Sequence, residues 1–489
     1  MTLLCNCLSL CLFFVSVLGR NFTVLTNDSG AICRRVQAKP NNDGSYVKLL
    51  VNEIIADYKI PGLIFNYDDI VNFASVPIFE NFTNLYPQNK TELYLKMLND
   101  EGQFITDTVE GHSLDSLNFW SGIIDKEIIF PVVDSGMYCV YIAPDPVNVP
   151  NFVLPVHFKK YYGNLNYAGY LYYNSLKWML VLLVGIFAAL MKLTKTKDAK
   201  GSQNLSSVKA ITNTVVLLTL IPFTVEYTIY FIQLYLQNYL IEPYKSVSIM
   251  AISPFILELA ANIHQAVDQY VALLFAMGLG VVYYYNDDSQ SYRKFPRDWF
   301  LKTTVLFAVN LSIMIIGMIC IQSPGTIPLV WTTIATESFA DILNGVNLLL
   351  DFIWILLSIV FYFKTKKRLT AIPPNPDIGS SDKVVSAFKK STLVIWIMPL
   401  LIHGLGAAVG GSWLISNIFK ELDHMPTQSA DTQARYGSIL LMQSVERAQL
   451  LNVQLTHWSG WLNTFLTIGL VVLIWVRSSN KAALDEKNK

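Results

Sequence analysis

Glu226, Glu258, His264, Asp268, Glu337, Asp341 and Asp351 stand in stretches that are otherwise apolar. An ionisable side chain at the centre of a bilayer costs about 3 kcal/mol or more, so such groups are candidates for function. Glu258, Asn262, Gln265 and Gln269 recur at i, i+4, i+7 and i+11, which places them on one face of a helix. His264 and Asp268 flank that face. Glu337, Asp341, Asn344 and Asp351 follow roughly helical spacing in a second segment, and Glu226 and His403 stand singly in two others. Two uses fit these residue types. One is a polar cavity opening to the lumenal side, with ion translocation as its extreme form. The other is hydrogen bonding between helices. His264 and Asp268, four residues apart, have the spacing of a metal-ligand pair but lack a third ligand. A hydrogen-bonded pair is the expectation, with no metal and no cofactor.

These residues need elements to position them, and the elements read as membrane helices. The chain has 489 residues, 53% hydrophobic and 15% charged, which fits a polytopic membrane protein. Formal net charge is zero, so nothing points to nucleic acid. The run from Leu348 to Phe363 ends abruptly on Lys364, Lys366, Lys367 and Arg368. It is long enough to cross a hydrocarbon core of about 30 Å, and the basic cluster marks its cytosolic end. Seven spans are predicted over 172–193, 210–236, 250–285, 299–321, 337–363, 391–418 and 458–476. The third is long and only its second half, Val271 to Val282, is strongly apolar, so its first half is expected to protrude or to line a wet cavity. Loops then alternate in charge. The cytosolic ones hold four, three, seven and four Lys or Arg, and the lumenal ones between spans hold only Lys245, Lys420, Arg435 and Arg447. That asymmetry sets the N-terminus lumenal and the C-terminus cytosolic. Residues 170–477 thus form a seven-transmembrane helical domain, and 478–489 a cytosolic tail.

Residues 1–19 have the short apolar core of a secretory signal, with cleavage expected before Arg20. Residues 20–165 form a lumenal domain. Tyr46–Val51, Ile128–Val133, Tyr138–Ile142 and Phe152–Phe158 are rich in β-branched and aromatic residues between turn clusters, which predicts a β-sandwich. Of six cysteines, three leave with the signal and Cys320 lies in an apolar run. Cys33 and Cys139 remain and are expected to pair in an oxidising lumen. Asn21, Asn27, Asn81 and Asn89 head glycosylation sequons in the same segment. Asn204 heads another, on the cytosolic side, where it stays bare. Tyr138 and Cys139 are adjacent and so point to opposite faces of a strand. An immunoglobulin domain spaces these two residue types two apart, on one face, and is therefore set aside.

No acidic-Arg-Tyr triplet follows the third span, which runs into Tyr283-Tyr284-Tyr285-Asn286. The seventh has neither an Asn-Pro-x-x-Tyr motif nor a retinal lysine. No nucleotide-binding loop and no Ser/His/Asp set in a recognisable context is present, so the chain is not expected to be an enzyme. Three stretches carry a positive resemblance. They are Asp134-Ser-Gly-Met-Tyr-Cys-Val140, Phe158-Lys-Lys-Tyr-Tyr-Gly-Asn-Leu165 with Tyr170-Leu-Tyr-Tyr-Asn174, and Trp461-Leu-Asn-Thr-Phe465 through Ile474-Trp475-Val-Arg477-Ser-Ser-Asn480. Together with the order signal, lumenal β-domain, seven spans and short tail, they resemble the lung-seven-transmembrane-receptor-like, or Golgi-dynamics-domain seven-transmembrane (GOST), proteins.

That resemblance implies a Golgi or endosomal membrane protein of vesicular traffic, with a GOLD-like lumenal sandwich that binds cargo. Its bundle would be similar to that of the Wnt carrier Wntless, where a lipid-accessible cavity holds cargo lipid. The implied partners are a lumenal cargo protein or lipid, membrane lipids and cytosolic coat machinery. A cation channel or transporter and a ligand-sensing receptor are the rival readings.

Overall fold

In the computed structural model the described residues are 22–26, 30–39, 44–51, 57–76, 96–109, 117–145, 149–195, 206–240, 247–282, 297–321, 337–371, 381–423 and 458–478. The signal segment and the sequon residues Asn21, Asn27, Asn81, Asn89 and Asn204 lie outside them. Among the described residues, alternating β-branched and aromatic residues give eight strands. They are β1 (Phe22–Leu25), β2 (Ala31–Val36), β3 (Tyr46–Leu49), β4 (Ile60–Asn66), β5 (Phe119–Ile124), β6 (Ile128–Pro131), β7 (Gly136–Ile142) and β8 (Leu154–Lys159). They form two antiparallel sheets of order β1-β8-β3-β6 and β2-β7-β4-β5. Val47, Leu49, Phe130 and Val156 of the first sheet meet Ile60, Ile64, Ile124 and Val140 of the second in one apolar core.

The second sheet is covered on its other face too. Leu63, Phe65, Cys139 and Tyr141 pack there with Tyr67, Ile70, Phe73, Met97 and Phe104. Tyr67 and Ile70 belong to a 3-10 turn (Tyr67–Asn72). Coverage on both sides explains why β4 and β7 read as almost continuous apolar runs rather than alternating ones. Fully burying residues such as Leu63, Ile64 and Phe65 contributes about 2 kcal/mol each. Tyr138 lies in the inner core and Cys139 in the outer one, on opposite faces of β7. Cys33 and Cys139 are directly opposed across β2 and β7 and are joined by a disulfide. The bridge therefore lies within one sheet, whereas the immunoglobulin bridge joins two.

Among the described residues, eight helices follow. They are α1 (Tyr167–Lys195), α2 (Ser206–Ile211), α3 (Leu217–Tyr235), α4 (Val247–Ala276), α5 (Arg297–Ile321), α6 (Glu337–Ala371), α7 (Ser381–Asp423) and α8 (Trp458–Ser478). A π-helical stretch, Thr212–Val216, joins α2 to α3, and a second, Leu236–Leu240, ends α3. Asn166 caps α1, its Oδ1 accepting from the Gly169 amide at 2.7 Å. Among the described residues, six segments are long and apolar enough to cross a membrane: Tyr167–Leu193, Thr212–Leu240, Asp298–Met318, Gly345–Ala371, Asp382–Gly406 and Trp458–Ser478. Their outward faces expose large apolar side chains such as Trp178, Leu349, Phe363 and Leu405, as lipid-facing helices must.

α4 is the exception. Its polar residues lower its hydropathy, yet it packs against α3, α5 and α6. A helix surrounded by its neighbours does not have to be apolar. It also ends earlier than the predicted 285. After Ala276 the chain turns through Gly278 (φ +100°) and Gly280 (φ +78°), backbone conformations that favour glycine. A side chain on Gly280 would collide with Thr214 of the first π-helical stretch. α7 begins at Ser381, ten residues before the predicted span, so its basic lead-in is helical as well.

Candidate functional site

α4 presents two polar faces. On one, His264 reaches α3. Its Nδ1 lies 2.5 Å from Glu226 Oε2, and its Nε2 lies 3.2 Å from Asp268 Oδ2, one turn along α4. The Glu226 side chain is 9% exposed and that of Asp268 40%, so the triad runs from the bundle interior to an accessible edge. The carboxylates sit on opposite ring nitrogens, so the three groups do not converge on a point as metal ligands do. Aromatic rings shield the inner end. Phe223 meets the imidazole edge-on at 5.6 Å. Tyr172 of α1 stacks on Trp461 of α8 at 5.9 Å and meets Tyr230 of α3 at 6.2 Å.

On the other face, Gln269 joins α5 to α6. Its Nε2 donates to Asp351 Oδ1 at 2.7 Å, and its Oε1 accepts from Asn310 Nδ2 at 3.1 Å. All three are buried. Each interhelical bond of this kind contributes about 0.6 to 2 kcal/mol. The Tyr270 hydroxyl meets that of Thr304 at 2.9 Å, and Thr365 Oγ1 donates to the Ala276 carbonyl at 2.7 Å, securing the end of α4. Asn262 faces α5, its Nδ2 lying 3.8 Å from Met318 Sδ.

Of the residues singled out in the sequence, Glu226, His264 and Asp268 come together, and Asp351 joins Gln269 in the second network. Glu258 is half-buried on α4, within electrostatic reach of Tyr230. Glu337 and Asp341 lie on α6, and His403 on α7, with side chains outside the described ones. Asn310 was not singled out. It is a lone amide in an apolar run, and the cost argument that selected the acids would have selected it too.

A third polar cluster joins the β-sandwich to the helices. Asn238, buried at the end of α3, accepts from the Leu165 amide at 3.0 Å and donates to the Tyr162 carbonyl at 2.8 Å. Gly163, between them, has φ +126° and leaves no room for a side chain over the Asn238 carboxamide. Tyr162 stacks on Tyr170 of α1 at 4.1 Å. Asn164 Oδ1 accepts from His157 Nε2 of β8 at 3.0 Å. Burial pushes the His157 imidazole down to about 4. The Asn164 bond opposes this, and Lys160, Lys159 and Lys48 add to it. Tyr46 meets that ring edge-on at 5.7 Å, and Lys48 pairs with Glu127 at 2.7 Å.

No family model matches the chain. It is similar to an uncharacterized protein of Schizosaccharomyces pombe, 26% identical over 188 residues, and the match covers 36% of each chain. The chain thus spans about a third of the length of that relative.

Proposed function

We propose that this is a seven-transmembrane protein of Golgi or endosomal membranes that acts in vesicle-mediated traffic and cargo sorting, without enzymatic activity. In this reading α4 is the third of seven spans, screened from lipid by α3, α5 and α6. The β-sandwich is then a lumenal, GOLD-like cargo-binding head, and the C-terminal tail is cytosolic. The observation that carries the reading is the Asn238 clamp. It holds the head against the helix bundle through the buried backbone of 162–165, as a receptor that transmits cargo binding into the membrane requires. The basic ends of α6 and α7 suit anionic lipid heads or coat proteins. Deleting the protein is expected to send lumenal cargo to the wrong membrane, while a C-terminally tagged full-length copy restores sorting from the Golgi or endosomes. Normal cargo distribution in the deletion strain would reject the proposal.

The buried carboxyl of Asp351 and the triad between α3 and α4 favour a second reading, a cation channel or transporter. Reconstituted protein would then pass current that falls in D351A.

A further inference from the structure

The triad between α3 and α4 needs one hydrogen more than a neutral imidazole and two carboxylates supply. A carboxylate oxygen only accepts hydrogen bonds, and a neutral imidazole donates from one nitrogen and presents a lone pair at the other. Yet both nitrogens of His264 face carboxyl oxygens, Glu226 Oε2 at 2.5 Å and Asp268 Oδ2 at 3.2 Å. With a neutral ring and two carboxylates, one of these contacts would set lone pair against lone pair. One further proton, as an imidazolium between two carboxylates or as a neutral ring beside one carboxylic acid, makes both contacts attractive: a hydrogen bond at Nδ1 and, at Nε2, which has no aligned hydrogen-bond partner, an ion pair at 3.2 Å.

We propose that Glu226, His264 and Asp268 form a proton-binding site inside the bundle, with Asp268 as its entry. Its side chain is the most exposed of the three. On uptake, a proton from water reaches Asp268 Oδ2 and passes to His264 Nε2. The hydrogen on Nδ1 is then shared with Glu226 Oε2. Release runs in reverse, and no other bond changes. The titratable groups facing the triad are Tyr172 from α1 and Tyr227 and Tyr230 from α3, with Glu258 on α4 beyond Tyr230. Among the described residues, His264 is the one cationic partner of either carboxyl. The bound proton therefore joins α3 to α4, and α3 ends in the Asn238 clamp about 18 Å away. The site goes beyond the trafficking reading and does not rest on it.

The test is thermal unfolding of the full-length protein in lipid nanodiscs between pH 5 and 9, for wild type, D268N and E226Q. D268N keeps shape and a hydrogen-bonding amide at a partly exposed position, so it disturbs the fold less than E226Q at the buried end. His157 titrates in every sample and cancels from the comparison. A midpoint difference between wild type and D268N that changes with pH supports the site, because a merely structural contact would shift the midpoint equally at every pH. A difference that stays constant across the range overturns it, whatever the protein's part in traffic.

Discussion

At the scale of single residues, Asn238 holds the most consequential position. Its carboxamide supplies one acceptor and one donor to a buried backbone segment, and each orphaned group costs about 1 to 3 kcal/mol. Asn238→Ala is therefore expected to lower the unfolding midpoint and to make 160–166 cleavable in limited proteolysis. A variant as resistant as wild type would mean the clamp does not hold the head. His157 carries a pH dependence of definite sign. The unfolded chain takes up a proton near 6.5, while the buried ring resists until about 4. Between those values the unfolded state binds more protons, so stability is full above 6.5 and falls as the pH drops toward 4. A shift of this size corresponds to about 3 kcal/mol. Unfolding measured at pH 7 and pH 4.5 should show the loss in wild type and much less of it in H157Q. The nearby lysines, Lys160, Lys159 and Lys48, add to that depression of the ring.

At the scale of elements, α4 decides the architecture. Its two polar faces serve two helix contacts, one through His264 to α3 and one through Gln269 to α5 and α6. Gln269→Leu removes the bonds to Asp351 Oδ1 and Asn310 Nδ2 together and is expected to cost about 1 to 3 kcal/mol for each bond lost, read as a lower midpoint in detergent. Gly280→Ala, at φ +78° and against Thr214, should destabilise by about 1 to 3 kcal/mol. Much of this element was legible beforehand. The cost of charge in an apolar stretch picked out Glu226, His264, Asp268 and Asp351 by type. Their partners were not legible, because helical spacing orders residues along one helix and says nothing of which neighbour each face meets. Glu258, Asn262, Gln265 and Gln269 were grouped as one face, yet the triad formed on the flank of it. The early end of α4 was hidden because Gly278 and Gly280 sit in a run that remains apolar. The Asn238 clamp joins residues more than seventy positions apart, which no local pattern reveals.

At the scale of the whole molecule, a cross-linked β-sandwich is fixed to a bundle that buries Glu226, Gln269, Asn310 and Asp351 among apolar side chains and turns further apolar side chains outward. Alternation along β7 was readable as adjacent Tyr138 and Cys139 on opposite faces, and each lies in a different core. The disulfide joins positions 106 residues apart. In the chain-entropy model, closing a loop of that length contributes about 4 to 5 kcal/mol. The C33S/C139S pair should therefore unfold at a markedly lower midpoint, with retention of the wild-type midpoint counting against that contribution.

The central proposal is that α4 crosses the membrane as well as the six apolar segments, which would give the chain an odd number of passes. Protease protection on sealed microsomes tests it most directly, using the full chain with a C-terminal tag and an antibody to the head. Seven crossings predict that protease removes the tag while the disulfide-bonded head survives until detergent is added. Head and tag both digested, or both protected, would place them on one side and contradict the account.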